Sequence, residues 1–289
     1  MRNALLVGIN YKGTTSELRG CINDIINMKF FLKSSRNYDN ITLLSDDSPD
    51  RMPTKSNILA NLTSLVANSR PGDEIFFHYS GHGTLIRDTN GDEESGYDSV
   101  ICPVDFLNVG FITDDVLRGI VNNVPAGVTL YAFLDCCHSG TGFDLRYKYE
   151  DNSKYLKPGI PSTYTTTDWQ MKQSYYQFKK YAKTNGNVFM VSGCKDDQTS
   201  ADALEEGQFT GALTYCILKT LRSNYGNCKW KIFLKDLSCL LKVKGYSQRP
   251  VLTSGNFLNM DDTVFITKQS KSIDALLDSC EICKTLLNK

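Results

Sequence analysis

The chain has 289 residues, of which 41% are hydrophobic and 22% are charged, a composition typical of soluble globular proteins. Its 32 basic and 32 acidic side chains balance, and no apolar run is long enough to cross a bilayer, so we expect neither nucleic acid nor membrane as a partner. The N-terminal residues lack the pattern of a secretory signal. We therefore expect a monomer of the cytoplasm, or of cytoplasm and nucleus, whose ten cysteines are mostly free thiols.

The first half of the chain alternates between strand and helix patterns. Short apolar runs indicate buried strands, and apolar residues at helical spacing indicate helices, with Thr54 as the N-cap of the second helix. In chain order the predicted elements are a strand at 4–10, a helix at 21–33, a strand at 41–46, a helix at 54–69, a strand at 73–83, a helix at 112–124 and a strand at 129–137.

The second half continues in the same way. It contains a strand at 187–194, helices at about 210–223 and 232–243, and a strand-like segment at 249–255. Strands interleaved with helices predict an α/β fold, with a mostly parallel central sheet and helices on both faces. In such sheets ligands bind beyond the carboxyl ends of the strands.

Two polar segments interrupt this pattern. Residues 84–106 form a predicted acidic loop, and residues 145–186 are too long and polar for an ordinary connection, which indicates a functional loop, a linker or a disordered insert. Near the C-terminus, Cys280 and Cys283 form a single CxxC on an amphipathic pattern. Since no second pair accompanies them, packing is favoured over zinc binding.

Three histidines are present, and one of them is paired with a cysteine at a meaningful spacing. His82 lies at the carboxyl end of one predicted strand and Cys137 at the carboxyl end of another, 55 residues later. This is close to the spacing in cysteine peptidases whose histidine precedes the cysteine. An imidazole next to a thiol lowers its pKa or accepts its proton, so neighbouring strand ends could form a nucleophilic pair. The alternative is two ordinary residues in glycine-rich turns.

Strand alternation bears on which thiol reacts. Asp135 and Cys137 would share one face of their strand, and Cys136 would point to the opposite face as a buried thiol. His138 would diverge from its neighbour Cys137 and is a poor base for it. His78 lies within an aromatic run and is predicted to be a buried core histidine.

With these motifs the sequence resembles the metacaspases, caspase-fold cysteine peptidases of clan CD, and is similar to the type I enzymes without a prodomain. The resemblance extends from residue 4 to about 266. It is carried by LRGCIND (18–24), HYSGHG (78–83), GYDSVICPVDF (96–106), DCCHSGTGFDL (135–145) and SGCKDDQTSADA (192–203).

The resemblance implies one caspase-like domain that acts as a calcium-activated endopeptidase and cleaves peptides and proteins after Arg or Lys. Residues 1–144 would be the large catalytic region, 145–186 a linker or loop, and 187–289 the small region. His82 would be the base and Cys137 the nucleophile. The backbone N–H groups of Gly83 and Cys137 are predicted to bind the oxyanion, since glycine allows close backbone approach.

The resemblance also places two groups of acidic residues. Asp24 and Asp135 would bind a basic P1 side chain in a pocket lined by Cys21 and Ser80, whereas from the residues alone they could be a surface acid and a capping acid. Residues 88–99 approach EF-hand spacing but lack the required glycine and glutamate. The Ca²⁺ ligands implied by the family are instead Asp98, Asp114, Asp115 and Asp144, although two of these could simply be N-terminal helix acids.

Three functions remain open at this stage: an Arg/Lys-specific cysteine endopeptidase, another clan CD peptidase resembling paracaspase or separase, and a non-proteolytic caspase-fold scaffold. A peptidase with this specificity would cleave itself in exposed chain, and 145–186 is rich in basic residues. The candidate sites are Arg146, Lys148, Lys154, Lys157, Lys172, Lys179, Lys180 and Lys183, with the last three favoured.

Overall fold

The computed structural model describes residues 1–89, 96–137, 142–150, 175–177, 181–194, 202–224 and 228–265. The strands are β1 (Arg2–Gly8), β2 (Asn40–Ser45), β3 (Glu74–Ser80), β4 (Gly83–Arg87), β5 (Tyr97–Ile101), β6 (Ile112–Thr113), β7 (Thr129–Asp135), β8 (Tyr147–Glu150), β9 (Tyr175–Gln177), β10 (Asn187–Cys194), β11 (Asp202–Glu205), β12 (Gln208–Gly211) and β13 (Arg249–Ser254). The helices are α1 (Cys21–Arg36), α2 (Lys55–Ala67), α3 (Phe106–Val109), α4 (Asp114–Val121), α5 (Ala212–Ser223) and α6 (Trp230–Val243).

The central sheet has the strand order β2-β1-β3-β7-β10-β13-β8-β9. The first five strands in this order are parallel, and the last three join in antiparallel pairs. The predicted α/β class with a mostly parallel sheet is therefore confirmed. β1, β3 and β7 can be predicted from the sequence because they are buried on both faces and hence nearly continuously apolar.

A hydrophobic core lies on each face of the sheet. One core includes buried side chains of α1, α5 and α6, and the other includes those of α2 and α4. Alternate residues of β1 divide between the two, with Leu6 in the first and Leu5 in the second. The helices thus cover both faces, and the carboxyl ends of β1, β3 and β7 meet at one edge.

Several strands lie where the sequence predicted loops. Within 84–106, β4 and β5 pair with each other and with β6 in a small antiparallel sheet. Within 145–186, β8 pairs with β13 and β9 pairs with β8, so part of the predicted linker belongs to the central sheet. A third pairing that the sequence did not indicate is the β11–β12 hairpin before α5.

Two predictions from individual residues agree with the structure. Thr54 caps α2 by accepting a hydrogen bond from the backbone N–H of Asn57 at 3.2 Å. The seven described cysteines with defined side chains are all free thiols, as predicted. None of the helices in the described ranges is long and apolar enough to cross a membrane.

Candidate active site

His82 and Cys137 lie at matching positions beyond two adjacent strands. β3 and β7 are parallel, and the last pair in their register is Ser80 with Asp135. The alignment continues past the strands, since the N–H of Gly81 donates to the carbonyl of Asp135 at 3.3 Å. Two residues beyond the last pair, the segment after β3 reaches His82 and the segment after β7 reaches Cys137. The structure therefore brings the predicted base and nucleophile to the same edge of the sheet.

The neighbouring polar residues lie in different environments. Cys136 is 1% exposed and packs in the core shared with α2 and α4, as predicted, whereas Cys137 is half-buried. His78 is fully buried, and its Nδ1 lies 3.0 Å from the carbonyl of Phe133. Burial lowers the pKa of His78 to about 4, so its imidazole is neutral in the core. His138 lies outside the described residues.

The imidazole of His82 is held from two sides. Its Nε2 lies 2.7 Å from the carbonyl oxygen of Ser16. Since a carbonyl oxygen can only accept, Nε2 carries the proton and Nδ1 is the basic nitrogen. The ring of Tyr11 packs against the imidazole with a centroid distance of 4.7 Å and an interplanar angle of 36°. No sequence pattern points to Ser16, because the contact uses its backbone carbonyl rather than its side chain.

Gly83 follows the candidate base and lies directly against the nucleophile segment. A Cβ at this position would collide with the carbonyl oxygen of Cys137 and come within 3.1 Å of the Cys136 Sγ. Only glycine allows the two backbones to approach this closely. The carbonyl of the preceding residue, His82, accepts from the Tyr79 hydroxyl at 2.7 Å and from the Cys102 N–H at 3.1 Å.

Asp24 and Asp135 form a buried pair of acids beside this strand edge. Asp24 is 0% exposed and Asp135 is 2% exposed. A Cβ added to Gly211 would lie 2.7 Å from an Asp24 carboxylate oxygen and would also collide with the Asp135 carboxylate. One glycine therefore contacts both acids, which places the two carboxylates close together, as the resemblance implies.

Each acid accepts several hydrogen bonds. Asp24 accepts from Ser80 Oγ at 2.6 Å, from Thr210 Oγ1 at 2.5 Å and from the Gly211 N–H at 2.9 Å. Asp135 accepts from Thr214, through its N–H at 2.7 Å and its hydroxyl at 2.8 Å. Burial and then the nearby charge of Asp135 raise the pKa of Asp24 to about 7.

The remaining predicted pocket residue is Cys21. It is buried at the first position of α1, one turn before Asp24. Sequence reasoning missed Thr210, Gly211 and Thr214, which complete the surroundings of the two acids from the junction of β12 and α5. Their separation of nearly 190 residues from Asp24 leaves no local pattern to find them.

The four predicted calcium ligands lie on β5, on α4 and in the segment after the nucleophile. Asp98, Asp114 and Asp144 are buried, and Asp115 is half-buried. Asp114 accepts from the backbone N–H of Ser99 at 2.8 Å, which ties the start of α4 to β5.

Asp144 has a left-handed φ of 46° and accepts from the Tyr181 hydroxyl at 3.0 Å. Burial lowers the pKa of nearby Arg118, and the negative charge of Asp144 partly offsets this effect. Within the described ranges, no three or more His, Cys, Asp or Glu side chains are grouped so that they could hold a metal ion. The calcium set therefore stays a prediction.

Relatives of known family resemble this chain over most of its length. The family profile described as "Metacaspase, peptidase C14 domain" matches residues 2–146. Metacaspase-1 of Scheffersomyces stipitis is 40% identical over 292 aligned residues, which cover 90% of this chain and 72% of that protein. Metacaspase-1 of Coccidioides immitis is 42% identical over 289 aligned residues, covering 89% of this chain and 62% of that protein.

Solved structures confirm the fold. Protein GSU0716 from Geobacter sulfurreducens aligns with a TM-score of 0.62 at 23% identity, covering 91% of this chain and 98% of that one. Caspase-1 from Spodoptera frugiperda aligns with a TM-score of 0.51 at 13% identity, covering 88% and 87%. The fold is caspase-like, the relatives are metacaspases, and this chain accordingly belongs to the metacaspase family of cysteine peptidases.

Proposed function

We propose that the protein is a cysteine endopeptidase in which Cys137 is the nucleophile and His82 the general base. The observation that carries this proposal is the register of β3 and β7, which aligns the two residues beyond the last strand pair. The half-buried position of Cys137 supports it, because a nucleophile must meet substrate. The protonated Nε2 of His82, bound to the Ser16 carbonyl, leaves Nδ1 available to accept the thiol proton.

The reaction proceeds through an acyl-enzyme. The Cys137 sulfur forms a bond to the scissile carbonyl carbon while its proton passes to His82, and the carbonyl π electrons move to the oxygen. Collapse of this tetrahedral intermediate breaks the C–N bond, and His82 returns the proton to the leaving amine. A water molecule then attacks the thioester with His82 again as base, which releases the acid product and restores the thiol.

The oxyanion of the intermediate would be bound by the backbone N–H groups of Gly83 and Cys137. The peptide between His82 and Gly83 is planar and trans, and its carbonyl points towards Tyr79 and Cys102. Its N–H therefore points in the opposite direction, away from β5. A peptide aldehyde soaked into crystals would test this arrangement, and an oxygen beyond hydrogen-bond reach of both N–H groups would refute it.

The pair Asp24 and Asp135 supports a preference for Arg or Lys at P1. In the described residues, Asp24 has hydrogen-bond donors but no Lys or Arg ion-pair partner. Two adjacent buried carboxylates are costly to ionise together, because burial and their mutual repulsion both disfavour a second negative charge. A substrate guanidinium or ammonium between them would supply a compensating positive charge.

Calcium activation is a separate part of the proposal. Asp98, Asp114, Asp115 and Asp144 offer hard carboxylate oxygens, the ligand type that Ca²⁺ prefers. These side chains are not gathered into a metal site in the described structure, so binding would have to draw them together. When bound, Ca²⁺ would order the segment that carries Asp144, seven residues after Cys137.

A fluorogenic peptide with Arg at P1 tests all three parts, with and without Ca²⁺, beside a matched peptide with Asp at P1. We expect calcium-dependent cleavage of the Arg peptide only, and none by Cys137→Ala. Full turnover in excess chelator would refute calcium activation and favour a paracaspase-like peptidase. Cleavage of the Asp peptide would refute the P1 assignment, and no cleavage of any peptide would favour a scaffold.

A further inference from the structure

Two buried tyrosines bind the backbone of His82, the residue that precedes Gly83. Tyr11 follows β1 and is 3% exposed, and Tyr79 lies on β3 and is 0% exposed. Their hydroxyl oxygens are 3.1 Å apart. A buried tyrosine hydroxyl usually has a hydrogen-bond partner, and both of these hydroxyls bind backbone groups next to the candidate active site.

Tyr11 bridges two backbone groups that would otherwise bind each other. Its hydroxyl accepts from the His82 N–H at 3.0 Å and donates to the Cys102 carbonyl at 2.6 Å. In the opposite direction, the Cys102 N–H reaches the His82 carbonyl directly at 3.1 Å. His82 and Cys102 thus form a pair that continues the β4–β5 ladder. One of its two hydrogen bonds is direct, and in the other the Tyr11 hydroxyl lies between the His82 N–H and the Cys102 carbonyl.

Tyr79 completes the arrangement on the carbonyl side. Its hydroxyl donates to the His82 carbonyl at 2.7 Å and accepts from the Cys102 N–H at 3.2 Å. Burial raises the pKa of both tyrosines well above the ordinary value, so both hydroxyls stay protonated and able to donate. The N–H of His82 is thereby bound by Tyr11, and its carbonyl by Tyr79.

Tyr11 restrains the peptide between Gly81 and His82 by binding its N–H, and Tyr79 restrains the following peptide, which carries the Gly83 N–H, by binding its carbonyl. Because the peptide is planar, a carbonyl held by Tyr79 and Cys102 fixes the opposite direction for that N–H. Glycine has unusual backbone freedom, so without such restraint this donor would be poorly oriented. We propose that Tyr11 and Tyr79 are positioning residues that aim the Gly83 N–H at the oxyanion, an inference that rests on the proposed peptidase function.

The test uses Tyr11→Phe and Tyr79→Phe, with Tyr38→Phe as the matched control. Tyr38 is 2% exposed, and its buried hydroxyl has no hydrogen-bond partner among the described residues. Its substitution therefore also removes a buried hydroxyl, but away from the candidate site. Three quantities are measured for each variant: kcat and KM for the Arg peptide, Ki for a peptide aldehyde, and the rate at which iodoacetamide alkylates Cys137. Alkylation needs the thiolate and access but no oxyanion donor.

We expect kcat to fall about ten- to a hundredfold in each site variant, with KM changed little. This loss is smaller than that caused by removing an oxyanion donor, because the Gly83 N–H remains present and is only less well oriented. The aldehyde should bind more weakly by a similar factor. The alkylation rate of Cys137 should stay within about twofold of wild type, and Tyr38→Phe should behave as wild type in all three assays.

Several outcomes would overturn the inference. Unchanged kcat in both variants would do so, and so would a parallel loss of turnover and alkylation, which indicates general disruption of the site. If Tyr79→Phe does not fold, as judged by thermal melting, Tyr11→Phe decides the matter. Failure of the proposed function looks different, because wild type would then cleave no peptide, and this would contradict both claims.

Discussion

The two adjacent thiols show how one residue step changes chemistry. Cys136 is buried among side chains of the core shared with α2 and α4, where a thiol is an inert packing group. Cys137 is half-buried, and it follows β7 by the same number of residues as His82 follows the paired strand β3. Reactivity requires both access and a neighbouring base, and we propose that only the second thiol has both.

We therefore expect Cys137→Ala to abolish peptidase activity and Cys136→Ala to retain most of it. The second substitution removes one buried sulfur, and we expect it to lower the free energy of unfolding by about 1 kcal/mol. Turnover of the Arg peptide and thermal melting of both variants provide the measurement. A cooperatively folded Cys136→Ala protein without activity would contradict the assignment of the nucleophile.

Asp24 gives the site a dependence on pH. Its pKa is raised to about 7 by burial and by the charge of Asp135, whereas in the unfolded chain it is near 3.8. Between about pH 4 and pH 7 the unfolded carboxyl is ionised while the folded one keeps its proton. The contribution of Asp24 to the free energy of unfolding therefore decreases as pH rises through this range.

The matching prediction compares wild type with Asp24→Asn. Wild type should lose stability relative to the variant between about pH 4 and pH 7, as measured by urea unfolding. In wild type, kcat/KM for the Arg peptide should increase as pH rises through about 7, because the cation binds the ionised acid. The variant should lose at least about a hundredfold in kcat/KM. Equal activity of the two proteins at pH 8 would rule out Asp24 as a P1 ligand.

At the scale of elements, the junction of β12 and α5 donates hydrogen bonds to both buried acids, Asp24 and Asp135. Thr210 and Gly211 bind Asp24, and Thr214 in the first turn of α5 binds Asp135. The N-terminal end of a helix is a favourable place for a negative charge. The hairpin and the helix thus stabilise two carboxylates that originate from α1 and β7.

Gly211→Ala should lower the activity by disturbing the two acids at this junction. The added methyl group would collide with both carboxylates, so we expect the activity on the Arg peptide to fall at least about tenfold. Gly119→Ala in α4 is the control, because a Cβ there meets nothing within 4 Å and alanine favours a helix by up to about 1 kcal/mol. If Gly211→Ala retains full activity, the space between the acids is larger than the structure indicates.

The sequence predicts buried elements that consist of apolar residues. It does not predict buried elements that contain many polar or charged residues. β3 and β7 are apolar on both faces, and their ends carry the chemistry, so His82 and Cys137 could be identified. β8 reads as polar because Tyr147 and Tyr149 alternate with charged residues, yet both tyrosines are buried.

The missed parts of the site share another cause. Ser16 acts through a carbonyl group, which every residue type possesses. Thr210, Gly211 and Thr214 reach the acids only through folding of distant segments. Their roles depend on three-dimensional packing and therefore leave no pattern in the local sequence.

At the scale of the whole molecule, the predicted linker and the two regions around it share one sheet. β8 pairs with β13, which lies between it and β10. Lys148 lies within β8 and forms an ion pair with Glu150 at 2.6 Å, and Arg146 donates to the carbonyl of Tyr181 at 2.9 Å. A residue held in a paired strand cannot be drawn into a peptidase site without breaking the sheet.

We expect self-processing, if the enzyme cleaves after basic residues, at Lys179, Lys180 or Lys183 rather than at Arg146 or Lys148. Lys183 is exposed, and the other two favoured lysines lie outside the described residues. N-terminal sequencing of fragments formed in Ca²⁺ should give new ends at 180, 181 or 184.

The Cys137→Ala protein is the control for this experiment and should remain intact. New ends only outside 145–190, or identical fragments from the Cys137→Ala protein, would contradict the prediction. Cleavage at Lys148 would show that β8 leaves the sheet in solution.

The interleaved strand order has a consequence for what such a cut would produce. A break between β9 and β10 leaves β7 and β8 on one piece and β10 and β13 on the other, in the spatial order β7-β10-β13-β8. Each piece then holds the other through two ladders, β7 with β10 and β13 with β8. The product would be a heterodimer that elutes from a sizing column like the uncut chain and separates only in denaturant, and two halves made as separate polypeptides should assemble into the same particle.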